Sequence, residues 1–285
     1  MDGLRSLGGP SRVVRRGRAR ARRLARIRLL KTLGLFTPYV IADVDGLLFL
    51  VGTRGSGVAR AMFVRGRRPE FPGLERTLRV LEERGQTVKG TTLVDVGANV
   101  GTTTVAAIIR HGFGYAVAVE PNPANVTALF TNIALNGLSD CTRVVAAAAS
   151  DQAGRATFTQ KASDGTGRLI MDSANGVEVA VIRLDDEVDA QDVGLLWIDT
   201  QGHELEVLRG APELLARRPP IVAAFRVSKG NTSELLEFLA GAGYQSFIDL
   251  REPNIYNPDW SPTIHELAGE FDYAPHKATD LLFLA

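Results

Sequence analysis

Cysteine is almost absent. Cys141 stands alone in 285 residues, so no intramolecular disulfide can form and stability must come from a packed core. Histidine is nearly as scarce: the four residues at 111, 203, 265 and 276 are too scattered for zinc-finger spacing. Long apolar runs are missing too. Stretches such as 144–149 and 193–198 fall far short of the roughly 20 residues that cross a bilayer, and no apolar segment follows the basic N-terminus in the position of a signal peptide. The expected location is cytoplasmic. With 45% hydrophobic and 23% charged residues, the composition is that of an ordinary globular domain, which excludes disorder as the main state.

The net charge of +1 conceals an uneven distribution. Residues 1–31 hold eleven Arg or Lys against one acid, Asp2, which leaves 22 basic and 31 acidic residues elsewhere, a body of net charge −9. Within this arm, expected over 1–35, Leu24, Ile27 and Leu30 recur at near-helical spacing. A partial helix is expected, able to rest on the anionic inner surface of a membrane, where each basic group contributes on the order of 1 kcal/mol. A solvated tail is the plainer reading. Nucleic acid is disfavoured as a substrate, because the acidic body would repel phosphates.

From 39 to 64, apolar and polar residues alternate around Asp45-Gly46 and Gly55-Ser56-Gly57, which predicts a strand pair. Leu74, Leu78 and Leu81 then predict an amphipathic helix stopped by Gly85, so that 36–89 reads as a β-rich lead-in plus helix. Beyond residue 90, short apolar runs at 92–96, 116–119, 143–147, 193–198, 221–225, 244–248 and 281–284 alternate with helical segments. That is the signature of a mainly parallel sheet with helices on both faces. One helix carries Val105, Ile108 and Ile109. Another, opened by Asn122-Pro123 and stopped by Gly137, places Val126, Leu129, Phe130 and Ile133 on one face. Later helices are expected over 204–209, closed by Gly210, and 233–240. Insertions are expected near 155–183, as a hairpin of 156–160 and 177–182, and near 249–276.

The densest signal is the run from Leu93 to Gly101, a buried strand entering a glycine turn and then a helix. Glycines let backbone and ligand approach, and open amides at a helix start favour polar groups. A dinucleotide fits poorly, because the G-x-G-x-x-G fingerprint would need glycine where Asn99 and Thr102 stand. What remains places Asp95 at the strand end to face an ammonium, with Gly97 and Gly101 leaving room beside it. The next strand ends in Glu120, the residue type that accepts both hydroxyls of a ribose. Together these describe an adenosyl amino acid.

The chain resembles the FkbM-type methyltransferases, which use S-adenosylmethionine. The resemblance runs through Asp95-Val96-Gly97-Ala98-Asn99-Val100-Gly101, Glu120-Pro121-Asn122-Pro123 and Asn132-Ile133-Ala134-Leu135-Asn136-Gly137. It continues in Ala149-Ser150-Asp151, Leu184-Asp185-Asp186 and the run from Ile198-Asp199-Thr200-Gln201-Gly202-His203-Glu204 to Gly210. It implies a Rossmann-like seven-stranded sheet with its last strand antiparallel, over 90–285. It further implies that Asp95, Gly97, Asn99 and Gly101 hold the methionine end, Glu120 the ribose, Asn122 its surroundings, and Ser150 and Asp151 the adenine. Two departures stand out. Many relatives carry Val-Glu-Gly in place of Thr200-Gln201-Gly202, and often a carboxylate where Ala223, Ala224 and Phe225 stand.

Methyl transfer to a hydroxyl needs the acceptor held in line and a group to take its proton. His203, at a helix start four residues after Asp199, is the expected base, with Asp199 or Glu204 orienting it. A divalent metal on Asp199, His203 and Glu204 is the less favoured reading. The expected activity is O-methylation of a sugar, glycolipid or secondary metabolite. The alternatives are a non-catalytic adenosyl-ligand adaptor acting through the basic arm and an NAD-dependent oxidoreductase. Residues 249–276, with Tyr256, Trp260, Phe271 and Tyr273, are long enough to form a lid over the acceptor, and a plain surface insertion is the other reading. Asp259 and His265 there are expected to face solvent.

Overall fold

The computed structural model describes residues 12–54, 57–66, 71–160, 167–170, 176–226, 231–250 and 278–285. The expected lid residues Tyr256, Asp259, Trp260, His265, Phe271 and Tyr273 and the turn residues Gly55 and Ser56 lie outside these. The chain divides into two compact units, Met1–Arg68 and Pro69–Ala285. Among the described residues, no helix is long and apolar enough to cross a membrane.

In the first unit the basic arm forms α1 (Arg12–Leu33). Next, β1 (Tyr39–Val44) and β2 (Leu47–Gly52) pair antiparallel about Asp45-Gly46. Both turn residues have positive φ, 60° and 78°, as a tight hairpin turn of matching twist requires. Period-two alternation buries Ala42, Val44, Leu47, Phe49 and Val51 on one face. Strand character ends there. Residues after Gly57 form a helix, α2 (Val58–Arg65), because the apolar spacing lengthens: Ala59 and Met62, three apart, are its buried residues.

The second unit opens with α3 (Phe71–Glu83), whose Leu74 and Leu81 are buried. Gly85 stops it as expected: its N–H donates to Glu82 O (2.9 Å), and Gln86 N–H to Leu81 O (2.8 Å). The chain then runs through β3 (Thr92–Val96), α4 (Thr102–His111), β4 (Tyr115–Val119), α5 (Pro123–Leu135), β5 (Thr142–Val145), β6 (Ala147–Ala149), β7 (Gly154–Gln160), β8 (Gly167–Ile170) and β9 (Val177–Ile182). It finishes with β10 (Val193–Ile198), α6 (Glu204–Arg209), α7 (Pro212–Ala216), β11 (Ile221–Arg226), α8 (Asn231–Gly241), β12 (Ser246–Asp249) and β13 (Ala278–Leu284).

Among the described residues, seven strands build the central sheet in the order β12-β13-β11-β10-β3-β4-β5. Strands β5, β4, β3, β10 and β11 are parallel neighbours, while β13 runs antiparallel to both β11 and β12. This is the expected Rossmann-like sheet with its last strand reversed. The chain leaves β3 toward β4 and β10 toward β11, in opposite directions across the sheet. The C-terminal ends of β3 and β10 are therefore the switch point, the place where open α/β sheets bind ligands.

Three sequence expectations shift. The strand expected over 143–147 divides: β5 stays beside β4, and β6 joins a second sheet, β6-β9-β7-β8. The alanine run at 146–149 has no size alternation to commit it to one sheet. The expected 156–160 and 177–182 hairpin is present as antiparallel β7 and β9, extended by β8. The next-to-last strand starts at Ser246, because Tyr244 finishes the preceding helix. Its N–H donates to Leu239 O (3.0 Å) and its hydroxyl to Pro219 O (2.7 Å). On the helices, Val105, Leu129 and Ile133 are buried as expected, while Ile109 and Phe130 face out. Phe130 follows buried Leu129 by one residue, about 100° around the helix, and Ile109 lies in the last turn of α4, beyond its buried residues 102–107.

Candidate active site

Asp95 is the fourth residue of β3, and its side chain is buried. Thr104, in the first turn of α4, donates a 2.5 Å hydrogen bond to its Oδ2. Burial raises this carboxyl from its ordinary 3.8 to about 7, with the Thr104 bond opposing and the charges of Asp199 and Glu120 adding. A cation placed beside it would favour the charged form.

The turn after β3 is built by close backbone packing. Gly97 and Gly101 have φ of 84° and 82°. A Cβ on Gly97 would fall 2.2 Å from the carbonyl oxygen of Asp199, and one on Gly101 2.5 Å from Leu129 Cδ1. The room that the sequence assigned to a ligand at these glycines is filled by the protein itself. Gly97 lets the tips of β3 and β10 meet, where Asp199 N–H also donates to Val96 O (2.9 Å). Asn99 takes the left-handed conformation, φ 54°, that asparagine tolerates better than most residues.

Glu120, just past β4, is buried and ties three pieces of chain together. Its Oε2 accepts from Asn99 N–H (2.9 Å), and its Oε1 from Asn122 N–H (2.9 Å) and Asn125 Nδ2 (3.2 Å). Burial pushes its pKa up against those three donors. Asn122 itself caps α5, its Oδ1 accepting from Ala124 N–H (2.9 Å). The sequence reading missed Asn125, although its place one helical turn past the cap was a usable signal. Asn132, fully buried, donates from Nδ2 to Val100 O (2.7 Å) and so fastens the glycine turn to α5.

At the end of β6, Ser150 Oγ lies 3.1 Å from Asp151 Oδ1 and 3.0 Å from His203 Nε2. The serine has one hydroxyl proton, so it can donate to the aspartate or to the imidazole but not to both. The other ring nitrogen, His203 Nδ1, is 3.6 Å from Glu206 Oε2. The expected orienting partners were Asp199 or Glu204; Ser150 and Glu206 stand at the ring. Burial lowers the His203 pKa below 6.5, against the charges of Glu206 and Asp151, which favours a neutral imidazole. Glu206, one helical turn beyond His203, was another missed residue with a legible spacing.

Glu204 turns toward its own loop, its Oε1 accepting from Gly202 N–H (3.0 Å), and burial raises its pKa. Asp199 is exposed at the tip of β10, where Gln201 Nε2 donates to its Oδ1 (2.7 Å). Beside it, Thr200 Oγ1 and Gln201 Oε1 are buried oxygens with no hydrogen-bond partner among the described residues. Buried acceptors without donors are costly and mark a place where a ligand can supply them. Gln201 is also held at φ 60°. Among the described residues, no group of three or more His, Cys, Asp and Glu is gathered to hold a metal ion.

The remaining motifs support this arrangement. Asp185 caps α7, accepting from Glu213 N–H (2.8 Å) and Leu214 N–H (3.1 Å). Gly210 lets α6 close onto Ser150, since a Cβ there would lie 2.0 Å from the Ser150 carbonyl oxygen.

A family model described as the methyltransferase FkbM domain matches residues 95–246, more than half of the chain. No curated protein sequence matches. Among solved structures, a methyltransferase FkbM from Methylobacillus flagellatus is similar at 15% identity and a TM-score of 0.45, covering 78% of this chain and 60% of its own. TYW2 of M. jannaschii, solved in complex with AdoMet, is similar at 17% identity and a TM-score of 0.46, covering 87% of this chain and 86% of its own. A precorrin-6y C5,15-methyltransferase from Geobacter metallireducens shares 16% identity at a TM-score of 0.40, covering 76% and 87%. The chain thus spans less than two thirds of the length of the FkbM structure it resembles.

Proposed function

The chain belongs to the FkbM methyltransferase family, and on that premise we propose that it binds S-adenosylmethionine across the tips of β3 and β4 and methylates a hydroxyl of a sugar, glycolipid or secondary metabolite. The observation that carries this reading is the pair of buried carboxylates, Asp95 and Glu120, at neighbouring strand ends. The donor set fits the cofactor. Asp95 offers a desolvated carboxylate to an ammonium, and Glu120 offers oxygens to ribose hydroxyls while its other contacts hold the turn of Gly97, Asn99 and Gly101. Asn122 keeps α5 in place beneath them, and Ser150 and Asp151 border the adenine. When bound, the cofactor supplies an electrophilic methyl group on a sulfonium.

The acceptor side belongs to the tip of β10. Asp199 is an exposed carboxylate placed to accept a hydrogen bond from an acceptor hydroxyl and to draw off its proton. Thr200 Oγ1 and Gln201 Oε1 offer hydrogen-bond sites that a polyhydroxylated acceptor would satisfy. His203, expected from the sequence to be the base, has both ring nitrogens turned to Ser150 and Glu206. We assign it to positioning Ser150, and Glu204 to holding the loop before α6. Alignment of the acceptor supplies much of the acceleration.

Calorimetric titration with S-adenosylhomocysteine and with NAD tests the cofactor. Selective binding of the nucleoside supports the reading; preference for NAD removes it in favour of an oxidoreductase. Labelled methyl transfer into polar host extracts tests the acceptor. Methyl ethers are expected among the products. Intact nucleoside affinity with no product from a broad panel would instead favour the adaptor.

A further inference from the structure

The basic helix ends in an apolar tip that the methyltransferase chemistry does not use. Leu35 is 76% exposed and Phe36 82%, and Tyr39 and Ile41 follow at 56% and 58%. These side chains sit on a pinned turn. Gly34 N–H donates to Leu30 O and Phe36 N–H to Leu33 O, both at 2.9 Å. Arg54 Nε donates to Gly34 O (2.7 Å), and Thr53 Oγ1 to Thr37 O (2.6 Å). On β1, the exposed Tyr39 and Ile41 alternate with the buried Ala42 and Val44. The fold therefore spends backbone and side-chain bonds holding large apolar groups out in water, where isolated exposure would be ordinary but four such groups within seven residues are not.

Charge accompanies the tip. Along α1, Arg20, Leu24, Arg28 and Lys31 succeed one another at four-, four- and three-residue steps, so they form one stripe, and all four are exposed. Leu35 stands two residues beyond the end of the helix, in the turn that follows it. Arg26, by contrast, turns inward over the Phe63 ring at 5.5 Å and is used within the unit. No acid occurs anywhere in α1, while the rest of the chain is net acidic.

We infer that this stripe and tip form a docking surface for an anionic lipid bilayer, with Leu35 and Phe36 entering the acyl boundary and Arg28 and Lys31 lying on the headgroups. Basic residues interleaved with exposed aliphatic and aromatic ones suit an interface that is charged outside and apolar beneath. A nucleic acid would engage the guanidinium groups but would offer Leu35 and Ile41 nothing to bury against. The inference is independent of which acceptor the enzyme methylates.

Sedimentation of the full chain with phosphatidylcholine vesicles, with and without phosphatidylglycerol, tests it. Binding is expected only with the anionic lipid, weakening as salt is raised. Leu35→Glu with Phe36→Glu, and separately Arg28→Glu with Lys31→Glu, should each reduce binding by roughly tenfold or more, with S-adenosylhomocysteine affinity unchanged as the control for folding. A tryptophan introduced by Phe36→Trp should be quenched by brominated phosphatidylglycerol, a readout that does not depend on the charge variants folding. Three results would overturn the inference: no binding to anionic vesicles, tight binding of duplex DNA that alone depends on Arg28 and Lys31, or a concentration-dependent dimer abolished by Leu35→Glu with Phe36→Glu.

Discussion

The two halves of the site treat their carboxylates differently. At the tips of β3 and β4, Asp95 and Glu120 are buried, and Glu120 alone collects three N–H donors from the turns around it. At the tip of β10, Asp199 is exposed, and two neighbouring buried oxygens have no donor among the described residues. One half is organised before any ligand arrives. The other keeps oxygens that no described residue satisfies. Under the proposed assignment, the stiffer bonding falls on the cofactor half and the oxygens without donors on the acceptor half.

Replacing Glu120 should break the comparison most severely. Glu120→Ala leaves the Asn99 and Asn122 amides without their acceptor, each at a cost of about 1–3 kcal/mol. S-adenosylhomocysteine affinity should fall by roughly a hundredfold or more, and thermal stability should fall with it. A binding loss without a stability loss would show that the carboxylate meets only the ligand. Next in size, Gly97→Ala forces a Cβ against the Asp199 carbonyl in a left-handed backbone, and should cost about 2–5 kcal/mol by urea denaturation. Wild-type stability would mean that the β3 and β10 tips are not in contact.

Asp199→Asn should sharpen the contrast by separating binding from turnover. A hundredfold or so fall in kcat is expected, with cofactor affinity held within roughly threefold. His203→Gln and Ser150→Ala should act on the other half, raising the cofactor KM by about three- to tenfold with kcat less affected. If His203→Gln instead abolished kcat and spared KM, the imidazole would be the base after all.

Much of this site was legible because its chemistry sits where strands end. Apolar runs located β3, β4 and β10, with one carboxylate, Asp95, inside the first and carboxylates directly after the other two, Glu120 and Asp199. The glycines were legible as turn residues but not in their purpose, because their contacts are with Asp199 and Leu129, far away in sequence. Glu206 rather than Glu204 at His203 was legible from helical spacing, though not from adjacency. On a helix the third neighbour faces the ring and the first does not. The split of the strand expected over 143–147 was hidden by alanine, whose small side chain pairs equally well in either sheet.

The most direct measurement follows the proton on Asp95. Because folding raises its pKa from 3.8 to about 7, the folded chain holds this proton across that window, and the group costs stability as pH rises through it. A bound ammonium reverses the balance by favouring the charged form, so binding should expel the proton. Calorimetric titration with S-adenosylhomocysteine should therefore show affinity falling roughly tenfold from about pH 8 to about pH 6, with proton release on binding. Asp95→Asn should abolish that pH dependence, weaken binding, and melt higher than the parent in the ligand-free state at about pH 8. Affinity independent of pH, or an Asn variant that binds as well as the parent, would contradict the assignment of Asp95 to the cofactor.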